Sequence, residues 1–269
     1  MLKVGKIEYL NTIPVYYGFF TGEVPTEDIK FVESVPSELN QMLRNGELDI
    51  SVISSYEYIL NSEKYLLFPN FSISAKKKVF SVLFLSNVPI HQLHRKDVWL
   101  TKSSMTSKEL LKFILKEIYG VEPNYRYYSL KEGNLPKNPT ALLVIGDDAL
   151  KFSQAKKFPF VYDLAEEWFN LFGLPFVFAL WAVRKDSFEK KREKVINFYR
   201  RLKLSRSIGL KSLQEIATVY SSRLNLPTTL CYKYLSHLEF NLSHENLKSL
   251  KKFSEVVNKP FSIEFALHE

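Results

Sequence analysis

Residues 2–14, Leu2-Lys3-Val4-Gly5-Lys6-Ile7-Glu8-Tyr9-Leu10-Asn11-Thr12-Ile13-Pro14, decide the architecture. The first six read as an apolar strand and the next few as a polar turn. A helix then opens at Pro14, where a missing N–H costs nothing because the first turn has no intrahelical acceptors for it. Strand, turn and helix in direct succession make the unit of an α/β sheet. That unit puts Asn11 at the carboxyl end of the first strand, the edge on which small ligands sit in open α/β sheets. The Asn11 amide offers donor and acceptor without charge. It serves either a ligand or the helix as a cap.

The unit then repeats. Residues 30–35 read as a strand, 36–43 as a helix stopped by Asn45-Gly46, and 49–53 as a short apolar strand. Ser54 and Glu57 have capping-box spacing at the start of another helix. This alternation implies a layered, mainly parallel sheet with right-handed connections. Further strands are expected at 65–68, 72–75 and 79–86.

Near residue 87 the rhythm restarts with a strand at 97–100 and the turn Thr101-Lys102-Ser103-Ser104-Met105-Thr106-Ser107-Lys108-Glu109. Thr106 and Glu109 again have capping spacing. Leu110, Leu111, Phe113, Ile114, Leu115 and Ile118 mark the buried face of a helix ending at Gly120. A strand at 125–129, a loop at 133–139 and the continuous apolar run 141–145 follow, the last reading as a central parallel strand. Gly146-Asp147-Asp148 opens a short helix, and residues 160–162 lead into an Asp163-capped helix reaching 172.

The apolar runs 79–86 and 174–183 read as two crossover strands between units. The fold expected is therefore α/β and two-lobed, each lobe a mainly parallel sheet flanked by helices. Lobe one takes 1–86 plus 176–269 and lobe two 87–175. The C-terminal region is helical, at 188–204, 207–224, 227–236 and 245–257.

At 269 residues and 46% hydrophobic, the chain is long and apolar enough for a large core. No run approaches the ~18 apolar residues of a membrane span, and MLKVGKIEYL begins a strand at once rather than a leader. The single cysteine, Cys231, allows no internal disulfide and reads as a small buried hydrophobe. A cytoplasmic location is expected. Of the net charge of +8, residues 184–206 hold nearly all, with ten Lys/Arg against three acids. Phe188, Val195, Ile196, Phe198, Tyr199 and Leu202 recur there at helical spacing, which makes the charges the outer face of an amphipathic helix. No nucleic-acid or membrane partner is expected.

Three hydroxyl- or amide-rich turns precede helices: Asn11-Thr12, Ser54-Ser55, and Ser103-Ser104 with Thr106-Ser107. Facing each other across two lobes, they suit carboxylates or phosphates; singly, each caps its helix. Asp147 likewise either gives a carboxylate to the cleft or caps. His91, His94, His237, His244 and His268 supply no metal-ligand spacing, so no metal is expected. No GxGxxG, GxxxxGK[ST] or GxSxG occurs, which argues against dinucleotide, P-loop and α/β-hydrolase chemistry.

Seven blocks carry a family resemblance: GKIEYLNTIPVYYG (5–18), PSELNQMLRNGELDISVISSYEY (36–58), VFSVLFLS (79–86), TKSSMTSKELL (101–111), ALLVIGDDAL (141–150), YDLAEEWFNLFGLPFVFALW (162–181) and YLSHLEFNLSHENLKSLKKF (234–253). In this order they resemble the chorismate dehydratases of the futalosine route to menaquinone. That family is similar in fold to type II periplasmic binding proteins.

The resemblance implies loss of water from chorismate, a small dicarboxylate, to give 3-[(1-carboxyvinyl)oxy]benzoate without a cofactor. It implies catalytic roles for Asn11 and Ser81, and carboxylate binding by Ser54, Ser55, Ser104, Thr106 and Ser107. Asp147 would lie near the leaving hydroxyl. These blocks contain no evident His, Lys or Glu base, so the substrate's own enolpyruvyl carboxylate is expected to take the proton. A relative of similar fold, 1,4-dihydroxy-6-naphthoate synthase, carries a His in an LIHE-like block where this chain has Gly146. Ala165 in DLAEEW departs from the commoner Gly. A solute-binding protein is the other reading. Oligomeric state and any partner of the basic helix stay open.

Overall fold

The computed structural model describes residues 1–267, and His268 lies outside them. In chain order the elements are β1 (Leu2–Lys6), α1 (Ile13–Phe20), β2 (Ile29–Glu33), α2 (Pro36–Arg44), β3 (Ile50–Ser54), α3 (Ser55–Leu60), β4 (Tyr65–Ala75) and β5 (Val82–Ser86). Then come β6 (Asp97–Thr101), α4 (Thr106–Phe113), β7 (Asn124–Tyr128), β8 (Ala141–Ile145), α5 (Gly146–Ala155), β9 (Phe160–Asp163), α6 (Leu164–Phe172) and β10 (Phe176–Arg184). The chain closes with α7 (Lys185–Lys211), α8 (Leu213–Leu224), α9 (Thr228–His237), β11 (Leu238–Glu239) and α10 (His244–Val256).

These strands form two sheets, ordered β11-β4-β10-β3-β1-β2 and β7-β6-β8-β5-β9, so the two-lobed α/β architecture stands. The sheets are mixed rather than mainly parallel. β1 is parallel to β2 and β3, but β10 returns from the second lobe and enters antiparallel between β3 and β4. β8 is central, yet parallel only to β6 and antiparallel to β5. The expected strands 65–68 and 72–75 are one strand, β4, interrupted by Asn70 at a φ of 59° and by register shifts against β10.

The run 79–86 is not one crossover strand. Phe80 has a φ of 61°, and only Val82–Ser86 is a strand, paired in the second sheet with β8 and β9. The first crossing between sheets therefore runs through residues 76–81, ahead of the boundary expected at 86. The helix after Thr106 also differs: beyond Phe113 it turns π-helical over Ile114–Ile118. Such a bulge adds a residue to the turn and rotates the buried face, leaving Ile118 42% exposed.

α7 is longer than the expected 188–204 helix and breaks at Lys191 (φ −131°, ψ 29°). The Lys191 ammonium reaches both Asp49 carboxylate oxygens at 2.8 Å, and Asp49 also accepts from Ser187 Oγ and the Lys3 amide. Its basic face is partly paired with acids from elsewhere in the chain, among them Arg201 with Asp28 and Lys185 with Glu264. α7 seats closely on α1: a Cβ on Gly209 would lie 2.0 Å from the Pro14 carbonyl oxygen. Only glycine permits that approach, which fixes the helix carrying the Asn11 turn. Around it Trp181, Phe68, Phe198 and Tyr16 are fully buried, and the Trp181 indole donates to Tyr16 Oη at 2.9 Å. Cys231 is buried and unpaired.

Candidate active site

A cavity of about 70 Å³ lies where the two sheets face each other. Asn11 enters it from the turn after β1 and Ser54 from the end of β3. Ser81 comes from the crossing segment, and Ser104, Thr106 and Ser107 from the turn that opens α4. Three turns from two lobes thus share one hollow, as their positions at strand ends suggested. Ile7, Ile73, Val82, Ile145 and Phe178 complete an apolar wall, and no charged side chain lines it.

The hydroxyls in this cavity share a bonding pattern. Ser54 Oγ accepts from Asn40 Nδ2 at 3.0 Å and from the Glu57 amide at 3.3 Å. Thr106 Oγ1 accepts from the Tyr56 amide at 2.8 Å, across the two lobes. Ser104 Oγ accepts from the Ser107 amide at 3.1 Å, and Ser81 Oγ from the Tyr234 hydroxyl at 2.8 Å. A hydroxyl whose oxygen is already engaged as an acceptor keeps its one proton to give elsewhere. None of the four gives it to another described protein group, so four protons are left for the cavity.

Two capping expectations are corrected by the same bonds. At Ser54 only half of the box forms, because the Glu57 carboxylate turns to Arg44 and Tyr65 while the Ser54 amide donates to Asn40 Oδ1. At Thr106 there is no side-chain cap; Ser104 caps the Ser107 amide instead, and Glu109 pairs with Lys112.

Asn11 presents the opposite polarity. It is not a helix cap, and its Oδ1 is buried without a hydrogen-bond partner. An orphaned buried acceptor costs roughly 1–3 kcal/mol, so this oxygen is poised for a donor from a ligand.

Ser55 and Asp147 lie outside the cavity. The Ser55 hydroxyl donates to the Val177 carbonyl at 2.6 Å and is fully buried. Asp147 Oδ1 accepts from the Leu10 amide at 3.0 Å, linking α5 to the turn that carries Asn11. Burial pushes the Asp147 carboxyl up to about 6, opposed by the Leu10 N–H and reinforced by Asp148. Asp147 is thus bonded to the turn that carries Asn11 and does not line the cavity.

Tyr234 and Tyr9 line or support the site without having been singled out in the sequence. Tyr234 is an aromatic on the buried face of α9, a pattern shared by ordinary core residues. The Tyr9 ring covers Gly146, where a Cβ would sit 2.8 Å from a ring carbon and φ is +63°. Position 146 thus has room for no side chain, least of all a histidine. Asp163 supplies the remaining support: its carboxylate accepts from the amides of Val79 (3.0 Å), Phe80 (2.7 Å) and Ala165 (3.0 Å). Those bonds hold Phe80 in its left-handed conformation and turn Ser81 into the cavity. Ala165 is a buried helical residue that fits without strain.

Among the described residues no group of three His, Cys, Asp or Glu is placed to hold a metal ion. No helix among them is long and apolar enough to cross a membrane.

Comparison with known proteins adds four findings. A family model described as menaquinone biosynthesis matches residues 2–259. A chorismate dehydratase of Thermus thermophilus is 31% identical over 276 residues, covering 96% of each chain. Another from Campylobacter jejuni is 30% identical over 191 residues, 70% of each. In structure, a Candida albicans protein with the generic periplasmic binding protein fold superposes with a TM-score of 0.67 at 13% identity, covering 100% of this chain and 98% of that one. That likeness establishes the fold alone.

Proposed function

The chain belongs to the menaquinone biosynthesis family, and from that premise we propose that it is a chorismate dehydratase. It eliminates water from chorismate to give 3-[(1-carboxyvinyl)oxy]benzoate. The observation that carries this reading is the row of hydroxyls on Ser54, Ser81, Ser104 and Thr106, each accepting from the protein and so presenting its proton to the cavity. Chorismate is a dianion, and a hydrogen bond to a charged group contributes about 1.5–3 kcal/mol.

The chemistry follows from the substrate's own conjugation. The ring C3–H is acidified through a double bond conjugated to the ring carboxylate, so charge builds on that carboxylate as the proton leaves. Fixed donors suit this stage, since one such donor in an oxyanion hole is typically worth ~3 kcal/mol. The C4–O bond then breaks and the ring becomes benzenoid. Among the described residues the cavity wall holds no His, Lys, Asp or Glu, which supports the enolpyruvyl carboxylate as the base. The proton it takes from C3 goes to the departing hydroxide, and the product is water.

Asn11 Oδ1, unpaired in the protein, accepts from the C4 hydroxyl, and Ser81 donates to the same oxygen as it leaves. Ser104, Thr106 and Ser107 on one wall and Ser54 on the other bind the carboxylates. No step in this scheme calls for a cofactor. A reducing, cytoplasmic setting fits the single buried thiol.

The test is incubation of the purified chain, pre-treated with a chelator, with chorismate, followed by mass-spectrometric identification of products. Formation of 3-[(1-carboxyvinyl)oxy]benzoate at an undiminished rate after chelation is expected. Chorismate recovered unchanged from a stable complex would instead mark a carrier and overturn the proposal.

A further inference from the structure

We infer that Tyr234 is a positioning residue whose hydroxyl, by donating to Ser81, fixes the Ser81 proton toward the cleft. This rests on the reading of Ser81 and Asn11 given above. It brings a residue of the C-terminal helix α9 into the machinery of a cleft otherwise built from the strand-end turns.

Donor bookkeeping settles the direction. A phenol has one proton and can also accept. Tyr234 donates to Ser81 Oγ at 2.8 Å. Ser81 is then left with its own proton for the cavity, which Asn11, with its unpaired Oδ1, also lines. Together they present a donor and an acceptor, the pair that a leaving hydroxyl requires.

Were Ser81 instead to donate to Tyr234, the cleft would lose its proton at Ser81.

Two features keep this bond pointing one way. Tyr234 is fully buried, and burial pushes its phenol pKa far up, so the proton stays on through the working pH range. The helix is also clamped to the segment bearing Ser81: the Phe80 ring meets His237 edge-on at 5.2 Å, and the Lys233 ammonium lies 5.2 Å above the same ring.

The experiment compares Tyr234→Phe, Ser81→Ala and the double variant with the unmodified enzyme, using chorismate as substrate and measuring kcat, KM and Tm. Tyr234→Phe is expected to lower kcat by about tenfold to a hundredfold with KM within about threefold, since the group removed acts through Ser81. The double variant is expected to be no slower than Ser81→Ala alone, because residues acting as a unit do not add.

An unimpaired Tyr234→Phe beside an impaired Ser81→Ala overturns this inference and leaves the reading of the site intact. Losses that multiply in the double variant also overturn it. An unimpaired Ser81→Ala removes the reading itself, and the inference with it. If the Phe variant does not fold, a neutron structure of the unmodified protein decides. The Tyr234 proton on Ser81 and the Ser81 proton in the cleft are expected, and the reverse arrangement refutes the inference.

Discussion

The cleft and helix α7 are opposites in how they handle charge. Residues 184–206 carry ten Lys/Arg, yet several are tied to acids elsewhere, Arg184 and Arg206 bond backbone carbonyls, and others such as Lys190, Lys194 and Arg200 are exposed. The cavity proposed to hold a dianion is lined by no charged side chain. Net charge therefore says little about where this protein meets an anion. Attraction by oriented hydroxyls has a physical advantage: the donors are already held by the fold, and no buried ammonium needs a counter-ion when the ligand leaves.

The largest effect should come from the two polar groups aimed at the reacting carbons. Asn11→Ala and Ser81→Ala should each lower kcat for chorismate by about a hundredfold to a thousandfold, the range of a lost oxyanion-hole donor. Steady-state kinetics on folded variants checks this, and near-normal turnover in either would remove that residue from the site.

Next is Gly146, which contributes backbone shape. Gly146→Ala places a Cβ 2.8 Å from Tyr9 at a φ of +63°. A stability loss of about 2–4 kcal/mol is expected from left-handed strain and overpacking together, measured by urea unfolding.

Asp147 sharpens the contrast, because it is a partly buried carboxylate beside the cleft that does not line it. Its folded value of about 6 lies above the ordinary carboxylate value of 3.8, so the protonated form is favoured by folding. That contribution is full below pH ~4 and is lost as pH rises through ~6. Asp147→Asn keeps an acceptor for the Leu10 amide and removes the cost of burying charge. It should raise stability by roughly 2 kcal/mol at pH 8 and by almost nothing at pH 4. Thermal melts across that range read the difference.

The smallest effect belongs to α7. Replacing the exposed Lys190, Lys194 and Arg200 with Gln should leave kcat/KM for chorismate within about twofold, the residual being long-range steering. A tenfold drop would show that the outer charge recruits substrate and would close the gap between the two regions.

What the sequence showed and what it hid divide by the reach of the contacts involved. The positions of the strand-end turns at Asn11, Ser54 and Thr106 follow from the local alternation of strand and helix. Periodicity and capping patterns locate such features. Ser81 could be named only through family resemblance, because its placement depends on Asp163, 83 residues from Phe80, holding the backbone in a left-handed turn. Locally, Val79-Phe80 reads as strand. The break in α7 at Lys191 is likewise due to Asp49, far away in the chain. Asp147 and Ser55 each bond a distant backbone partner, Leu10 and Val177, that no local pattern encodes. Tyr234 looked like any core aromatic until Ser81 and Asn11 were placed against it.

The claim that an uncharged wall grips a dianion can be measured directly by calorimetric titration of 3-[(1-carboxyvinyl)oxy]benzoate into the unmodified protein and into the folded Ser54→Ala/Ser104→Ala/Thr106→Val variant. Loss of three donors at about 1 kcal/mol or more each should weaken Kd by at least a hundredfold. A Kd unchanged within threefold would mean that something other than these hydroxyls holds the carboxylates, and the account of the cleft would be wrong.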